Sequence, residues 1–361
     1  MALLERAGHE AWFVGGCVRN ALLGVAVTDL DISTDARPQR VMGLAEAAGL
    51  KAVPTGIDHG TVTVVHGAQA FEITTFRRDV ETDGRRAVVR FADTLEEDAQ
   101  RRDFTMNALY ADRRGAVRDP VGGLPDLDAR HFRFIGTAEA RIREDYLRIL
   151  RFFRFNAWYG RDLDEAGLAA CAALADGLAG LSAERVTQEM LKLFAAPDPL
   201  RALAAMEQAG ILARVLPGGS ARLLGPYLTL DPRTPIDPIA RLAAVGGEVT
   251  GLRLSRAEAR RLQTYREGLE SAESAGAMGY AHGREIGLRI LTLRAAALGQ
   301  PLAAGDVAGV EHGATATFPV KAADLPPHLE GLAIGAALQK LEKAWIAADF
   351  EPNTAELLSL L

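Results

Sequence analysis

A change of periodicity near residue 136 constrains this chain more than any other feature. Residues 11 to 130 alternate β-branched runs with helical stretches, punctuated by Gly and Pro. "AWFVGG" (11–16) predicts a strand entering a glycine turn, "CVRNALLG" (17–24) a short helix, and "VTDLDIST" (27–34) a strand. "RPQRVMGLAEAAGL" (37–50) predicts a helix with Pro38 near its start. "HGTVTVVH" (59–66) and "QAFEITTF" (69–76) predict strands, and "DAQRRDFTMNALYAD" (98–112) has helical periodicity. Beyond residue 136 strand signals almost vanish. "EARIREDYLRILRFFRFNAWYG" (139–160), "DEAGLAACAALADGL" (164–178) and "SAERVTQEMLKLFAA" (182–196) predict helices. The expected fold is an α/β head, a small mixed sheet with helices, followed by an all-α neck, body and tail. The expected boundaries are head 1–130, neck 131–200, and body and tail 201–361.

At 361 residues, two to four domains are expected. No run of about 18 apolar residues predicts a membrane span. "MALLERAGHE" lacks the basic flank of a signal peptide, and Cys17 and Cys171 form no CxxC pair, so a cytoplasmic location is expected. The net charge of −6 and pI near 5.7 disfavour a non-specific nucleic-acid binder. Yet residues 130 to 161 hold eight arginines against three acids, a local basic face suited to phosphates.

In a strand, Asp29, Asp31 and Ser33 share one face while Leu30 and Ile32 turn to the core. Two like charges so close need a cation, and paired carboxylate oxygens suit Mg²⁺ together with substrate phosphates. The plainer reading is a solvent-facing polar edge. Upstream, Gly15-Gly16 before a helix lets backbone N–H groups approach a phosphate, with Arg19 to pair with it. An ordinary strand-to-helix turn also fits, and the spacing is not that of a dinucleotide fingerprint. Glu72 is equally a third carboxylate beside the pair or a structural partner for an arginine.

These stretches carry a resemblance. "VGGCVRNALLG…TDLDIST" resembles the glycine turn and acid pair of the class II nucleotidyltransferases, the tRNA CCA-adding enzymes and bacterial poly(A) polymerases. "RRDFTMNAL" (101–109) resembles their ribose-binding motif, "DPVGGLPDL" (119–127) their hinge, "EDYLRILRFFRF" (144–155) their nucleotide-selecting helix, and "ERVTQEMLKLF" (184–194) the neck helix that follows. Five motifs stand in the family's order over residues 11 to 200, and the C-terminal stretch is more loosely similar to short bacterial members. Asn20 departs from the family's usual Asp.

The resemblance implies attack of an RNA 3′-hydroxyl on a nucleotide α-phosphate with loss of pyrophosphate, Mg²⁺ serving as cofactor. Asp29 and Asp31 are then metal ligands, with Glu72 a candidate third catalytic acid. Gly15, Gly16 and Arg19 grip the triphosphate, Asp103 and Asn107 meet the ribose 2′-hydroxyl, and Arg102 meets a phosphate. Asp145, Arg148 and Arg151 form a ridge at i, i+3, i+6, with Arg154 beyond. Asp145 accepts and Arg148 donates, which matches the amino and ring-nitrogen edges of cytosine and adenine and mismatches uracil and guanine. An amphipathic helix with a solvated arginine edge is the bland alternative.

CTP and ATP are the implied substrates and tRNA the partner, with no membrane and no stable protein partner expected. A second cluster, Arg253, Arg256, Arg260 and Arg261, suits RNA phosphates or a solvated face equally. The seven histidines show no His-Asp dipeptide or metal-ligand spacing, so no appended phosphohydrolase domain is expected. Poly(A) polymerase, CC-only or A-only addition, a silent RNA-binding module and a small-molecule nucleotidyltransferase are the rival readings. Residues 77 to 95 are a candidate for the loop associated with the switch from C to A.

Overall fold

β-Branched segments form a seven-stranded mixed sheet whose strands lie side by side in the order Lys51–Gly56, Thr61–His66, Gln69–Thr75, Asp31–Thr34, Ala11–Val14, Tyr110–Ala111 and Val117–Arg118. After helix α1 (Ala2–Arg6), β1 (Ala11–Val14) leads through Gly15 into α2 (Gly16–Leu22), then β2 (Asp31–Thr34) and α3 (Pro38–Ala47). β3 (Lys51–Gly56), β4 (Thr61–His66) and β5 (Gln69–Thr75) form an antiparallel run whose last member pairs parallel with β2, setting Asp31 opposite Glu72. Ile32, Val62, Val64 and Ile73 turn to one face and pack with Leu4, Val41 and Ala45 of α1 and α3. The computed structural model describes residues 1–80, 88–231 and 235–361. β6 (Arg77–Val80) and β7 (Val88–Phe91) pair as a separate ladder. Residues 81–87 of the expected C-to-A loop lie outside the described residues.

The polypeptide continues through α4 (Leu95–Gln100), the edge strands β8 (Tyr110–Ala111) and β9 (Val117–Arg118), α5 (Gly123–Ala129) and β10 (His131–Phe132). Helices α6 (Ala138–Glu144) and α7 (Leu147–Tyr159), short β11 (Asp162–Leu163), then α8 (Glu165–Ala173), α9 (Ala183–Phe194), α10 (Leu200–Gln208) and α11 (Leu212–Val215) complete the first of two units, Met1–Val215. Phe104 meets Phe134 at 4.7 Å, Phe132 stacks on Phe155 at 5.3 Å, and Phe134 stacks on Phe152 at 5.6 Å. This aromatic cluster fixes α7 against the segment leaving the sheet.

The second unit, Leu216–Leu361, is helical throughout its described residues: α12 (Leu224–Leu230), α13 (Pro238–Val245), α14 (Arg256–Glu270), α15 (Ala275–Leu298), α16 (Ala304–Thr315), α17 (Leu332–Ala347) and α18 (Thr354–Leu358). Buried Arg289 of α15 pairs with Asp231 at 3.1 Å. Leu341, Trp345 and Leu357 anchor its C-terminal core. Arg253, Arg256, Arg260 and Arg261 are exposed on or just before α14, and Arg261 reaches Asp237 at 3.5 Å.

The α/β head and mostly helical remainder match expectation, with four local differences. The neck expected to be all-α holds the short parallel pair β10/β11, which ties the segment leaving the sheet to the end of α7. The strand expected from Val27 begins at Asp31, because Gly15 turns β1 away and leaves residues 25–30 no ladder to join; Val25 and Val27 stay exposed. The helical reading of 98–112 ends at Gln100. Asp103 Oδ1 there accepts the N–H of Phe104, and the chain passes through a 3₁₀ turn into β8. The single helix expected over 139–160 breaks at Asp145, whose backbone is extended (φ −156°, ψ 105°) and whose Oδ1 accepts the N–H of Leu147.

Candidate active site

The acid pair opens onto a cavity of about 220 Å³ lined by Gly16, Arg19, Asn20, Asp29, Asp31 and Tyr159, among others. β1 and α2 position its basic side. Gly15 joins them at φ 72°, ψ −123°, a conformation reserved for glycine, and donates its N–H to the Leu109 carbonyl at 3.1 Å. A Cβ there would lie 3.4 Å from Arg102 Nη1 and 3.5 Å from the Asn107 carbonyl. Arg19 is 5% exposed, and burial pulls its pKa down. Its Nε and Nη2 donate to Asn20 Oδ1 at 3.3 and 3.0 Å, Nη1 donates to Asn107 Oδ1, and the Tyr159 ring lies 4.2 Å away. Asn20 Nδ2 in turn donates to the Ala26 carbonyl at 3.1 Å, tying α2 to the segment that carries Asp29.

On the acidic side, burial and the Glu72 carboxylate push the Asp31 carboxyl up; Arg102 opposes them and Asp29 adds to them. The oxygen donors and the clustered negative charge of Asp29, Asp31 and Glu72 fit a hard divalent cation. Glu72 stands beside Asp31 in the β2/β5 register and does not line the cavity. Among the described residues no group of three or more His, Cys, Asp or Glu is arranged to hold a metal, so the fit rests on Asp29 and Asp31.

The ribose-motif residues are largely committed to one another. Arg102, expected at a phosphate, donates from Nε to the Tyr110 hydroxyl (3.1 Å) and from Nη2 to fully buried Asp98 (3.1 Å). Asp103 Oδ1 accepts from Asn107 Nδ2 at 3.0 Å, and Oδ2 accepts from Arg151 Nε at 2.7 Å. Burial alone would raise the Asp103 pKa; Arg151 and Asn107 outweigh it and hold the carboxyl well below the ordinary range. A continuous relay therefore runs from α2 to α7: Asn20, Arg19, Asn107, Asp103, Arg151.

Asp145 and Arg148, expected to read a base edge together, are held by different partners. Asp145 Oδ2 accepts from Arg185 Nη2 of α9 at 2.7 Å, whereas Arg148 donates to Glu144 and to the carbonyls of Arg141 (2.9 Å) and Arg101 (3.1 Å). The ridge expected for Asp145, Arg148 and Arg151 starts only at Arg148, because Asp145 sits in the break before α7. Arg154 donates to Glu189, which is 5% exposed, and its guanidinium lies 3.9 Å from the Phe155 ring. Sequence reasoning missed Glu144, Arg185, Glu189, Asp98 and Tyr159. Asp98 and Glu144 carried a signal in their i, i+4 spacing to Arg102 and Arg148, and Arg185 and Glu189 in sharing one face of the predicted helix.

The poly(A) polymerase head domain family matches residues 11–133, and the family described as "Probable RNA and SrmB- binding site of polymerase A" matches residues 161–223. The chain is 44% identical over 222 residues to the CCA-adding enzyme of Geobacillus kaustophilus, covering 61% of this chain and 54% of the relative. It is 42% identical over 198 residues to the human mitochondrial CCA tRNA nucleotidyltransferase 1, covering 53% and 45%. The chain thus spans about half the length of the curated relatives it matches. The crystal structure of the Bacillus stearothermophilus CCA-adding enzyme in complex with CTP superimposes with a TM-score of 0.76 at 28% identity, covering 99% of this chain and 94% of that one. Residues 11–133 thus carry the poly(A) polymerase head domain and residues 161–223 that family's RNA-binding region, and the chain is similar from end to end to a CCA-adding enzyme.

Proposed function

We propose that this chain adds C, C and A to the 3′ end of tRNA from CTP and ATP without a nucleic-acid template. The observation that carries the reading is the acid-lined cavity at the start of β2, joined by a hydrogen-bond relay to Arg151 of α7, the helix that also carries Arg148. The likeness to CCA-adding enzymes, one of them crystallised with CTP, supports this choice of reaction. The three-part division into head, neck, and body and tail belongs to the same proposal. So does a cytoplasmic location; the structure contributes only that no described helix is long and apolar enough to cross a membrane.

Family members use a divalent metal, and here Mg²⁺ is proposed, held by Asp29 and Asp31. When bound, it supplies a lowered pKa for the attacking hydroxyl and charge neutralisation at the phosphate. Gly15 and Gly16 keep the backbone low enough for a triphosphate to approach, and Arg19 offers a buried positive charge held by neutral amide oxygens. Glu72 flanks the pair and raises the electrostatic demand for a cation. Asn107 and Asp103 orient Arg19 and Arg151 and border the ribose; Arg102 braces the turn. Asp145 as acceptor and Arg148 as donor read the base edge, with Arg151 and Arg154 beside them. The 3′-oxygen bonds to the α-phosphorus, the bond to the pyrophosphate oxygen breaks, and the hydroxyl proton is released. Exposed Arg253, Arg256, Arg260 and Arg261 are the proposed RNA-phosphate contacts of the second unit.

The test is addition to tRNA lacking its last three nucleotides, with Mg²⁺ and each labelled nucleotide alone and mixed. Two C and one A, with nothing from UTP or GTP, is the expected result. Long A tracts on varied RNAs would instead mean a poly(A) polymerase, and C alone or A alone a partial adder.

A further inference from the structure

We propose that Arg185 is a specificity-determining residue: from α9 it fixes the Asp145 carboxylate in the orientation that accepts the amino group of cytosine or adenine. This rests on the assignment of Asp145 as a base-reading group.

Asp145 occupies the break between α6 and α7, where its own helix does not immobilise it. Two donors hold it instead. Oδ1 accepts the Leu147 N–H at 3.1 Å, and Oδ2 accepts Arg185 Nη2 at 2.7 Å. Each carboxylate oxygen has two lone-pair sites, so this leaves one on each oxygen, at directions set by the protein. The side chain is 32% exposed, which leaves it open to a ligand. Arg185 also sets a positive charge against the carboxylate, whose oxygens accept hydrogen bonds. An acceptor-only group meets the amino donor of C or A and opposes the carbonyl of U or G.

Arg185 is itself placed by the start of α9. Ser182 Oγ accepts its backbone N–H at 3.4 Å, and Glu189 lies one turn on, where it holds Arg154. One face of α9 therefore props both the acceptor before α7 and the arginines along it. Arg148, the donor of the pair, is held separately by Glu144 and two carbonyls. Donor and acceptor are thus positioned by different elements. Loss of Arg185 frees the acceptor and leaves the donor in place.

The full chain would be assayed as wild type, Arg185→Ala, Arg185→Lys, Asp145→Ala and the Asp145→Ala/Arg185→Ala double variant. The readout is the ratio of kcat/KM for CTP to that for UTP on tRNA lacking its last three nucleotides. Arg185→Ala is expected to lower this ratio about tenfold, the scale of one lost charge-assisted hydrogen bond. Arg185→Lys should recover part of it, and the double variant should fall no further than Asp145→Ala. A purely structural role would depress both nucleotides in parallel and leave the ratio unchanged; that result overturns the proposal. If Asp145→Ala lowers the ratio and Arg185→Ala does not, the Arg185 inference alone falls. If Asp145→Ala leaves the ratio unchanged, the base-reading assignment falls and takes Arg185 with it.

Discussion

Asp98 offers a quantitative test of how the head is held together. Its carboxylate is fully buried and receives Arg101 at 2.9 Å, Arg102 at 3.1 Å, the Tyr110 hydroxyl at 2.8 Å and the Arg77 N–H at 3.1 Å. Asp98→Ala removes the acceptor for all four and leaves two guanidinium groups facing a void. Breaking a buried ion pair from one side costs about 3–5 kcal/mol. The arginine side chains retain 17% and 19% exposure, so the low end, about 3 kcal/mol, is expected. For a cooperative unit of this size, that lowers the melting temperature by about 6–12 °C.

The pH dependence gives a second check. Burial alone would raise the Asp98 pKa; Arg102 and Arg101 outweigh it and hold the group well below the ordinary carboxylate range. The unfolded chain therefore takes up this proton first, near pH 4, and the stabilisation is present above that pH and lost as pH falls. The gap between wild type and Asp98→Ala should narrow by about 1.4 kcal/mol per pH unit below about pH 4. Calorimetry of the full chain from pH 7 to pH 3 measures both quantities. A shift under about 2 °C at pH 7, or a gap that stays constant to pH 3, would refute the reasoning.

Asp31→Asn should abolish nucleotide addition and, in metal-free buffer, raise the melting temperature. It removes a charge that burial and Glu72 disfavour, so a fall in melting temperature would contradict the electrostatic account. Gly15→Ala should destabilise by about 1–3 kcal/mol through its positive φ and raise the KM for CTP by displacing the turn that carries Arg19. Calorimetry and initial rates check this, and an unchanged KM would detach the turn from triphosphate binding.

The sequence determined which residue types were available and on what period. Strand and helix regions, the acid pair, the glycine turn and the arginine-rich stretch are local patterns, because β-branched alternation and helical spacing are set by the backbone itself. Local pattern also misled in three places. Residues 27–30 look like a strand and have no neighbouring ladder. Residues 98–112 look helical until Asp103 caps its neighbour's amide. The 139–160 helix breaks where Asp145 satisfies the Leu147 N–H.

Only the tertiary structure decided which charges meet. The spacing of Asp145 and Arg148 says nothing of their partners: Asp145 is met by Arg185, forty residues on, and Arg148 by Glu144 and two carbonyls. Arg102 turned inward to Asp98, and Asp103 and Asn107 became links between Arg19 and Arg151. A buried charge takes whichever partner the packing brings within hydrogen-bond distance, since leaving it unpaired costs more than any local preference supplies. That choice depends on how the Phe104, Phe132, Phe134 and Phe155 rings seat α7 against the head, a non-local contact that no single stretch of sequence encodes.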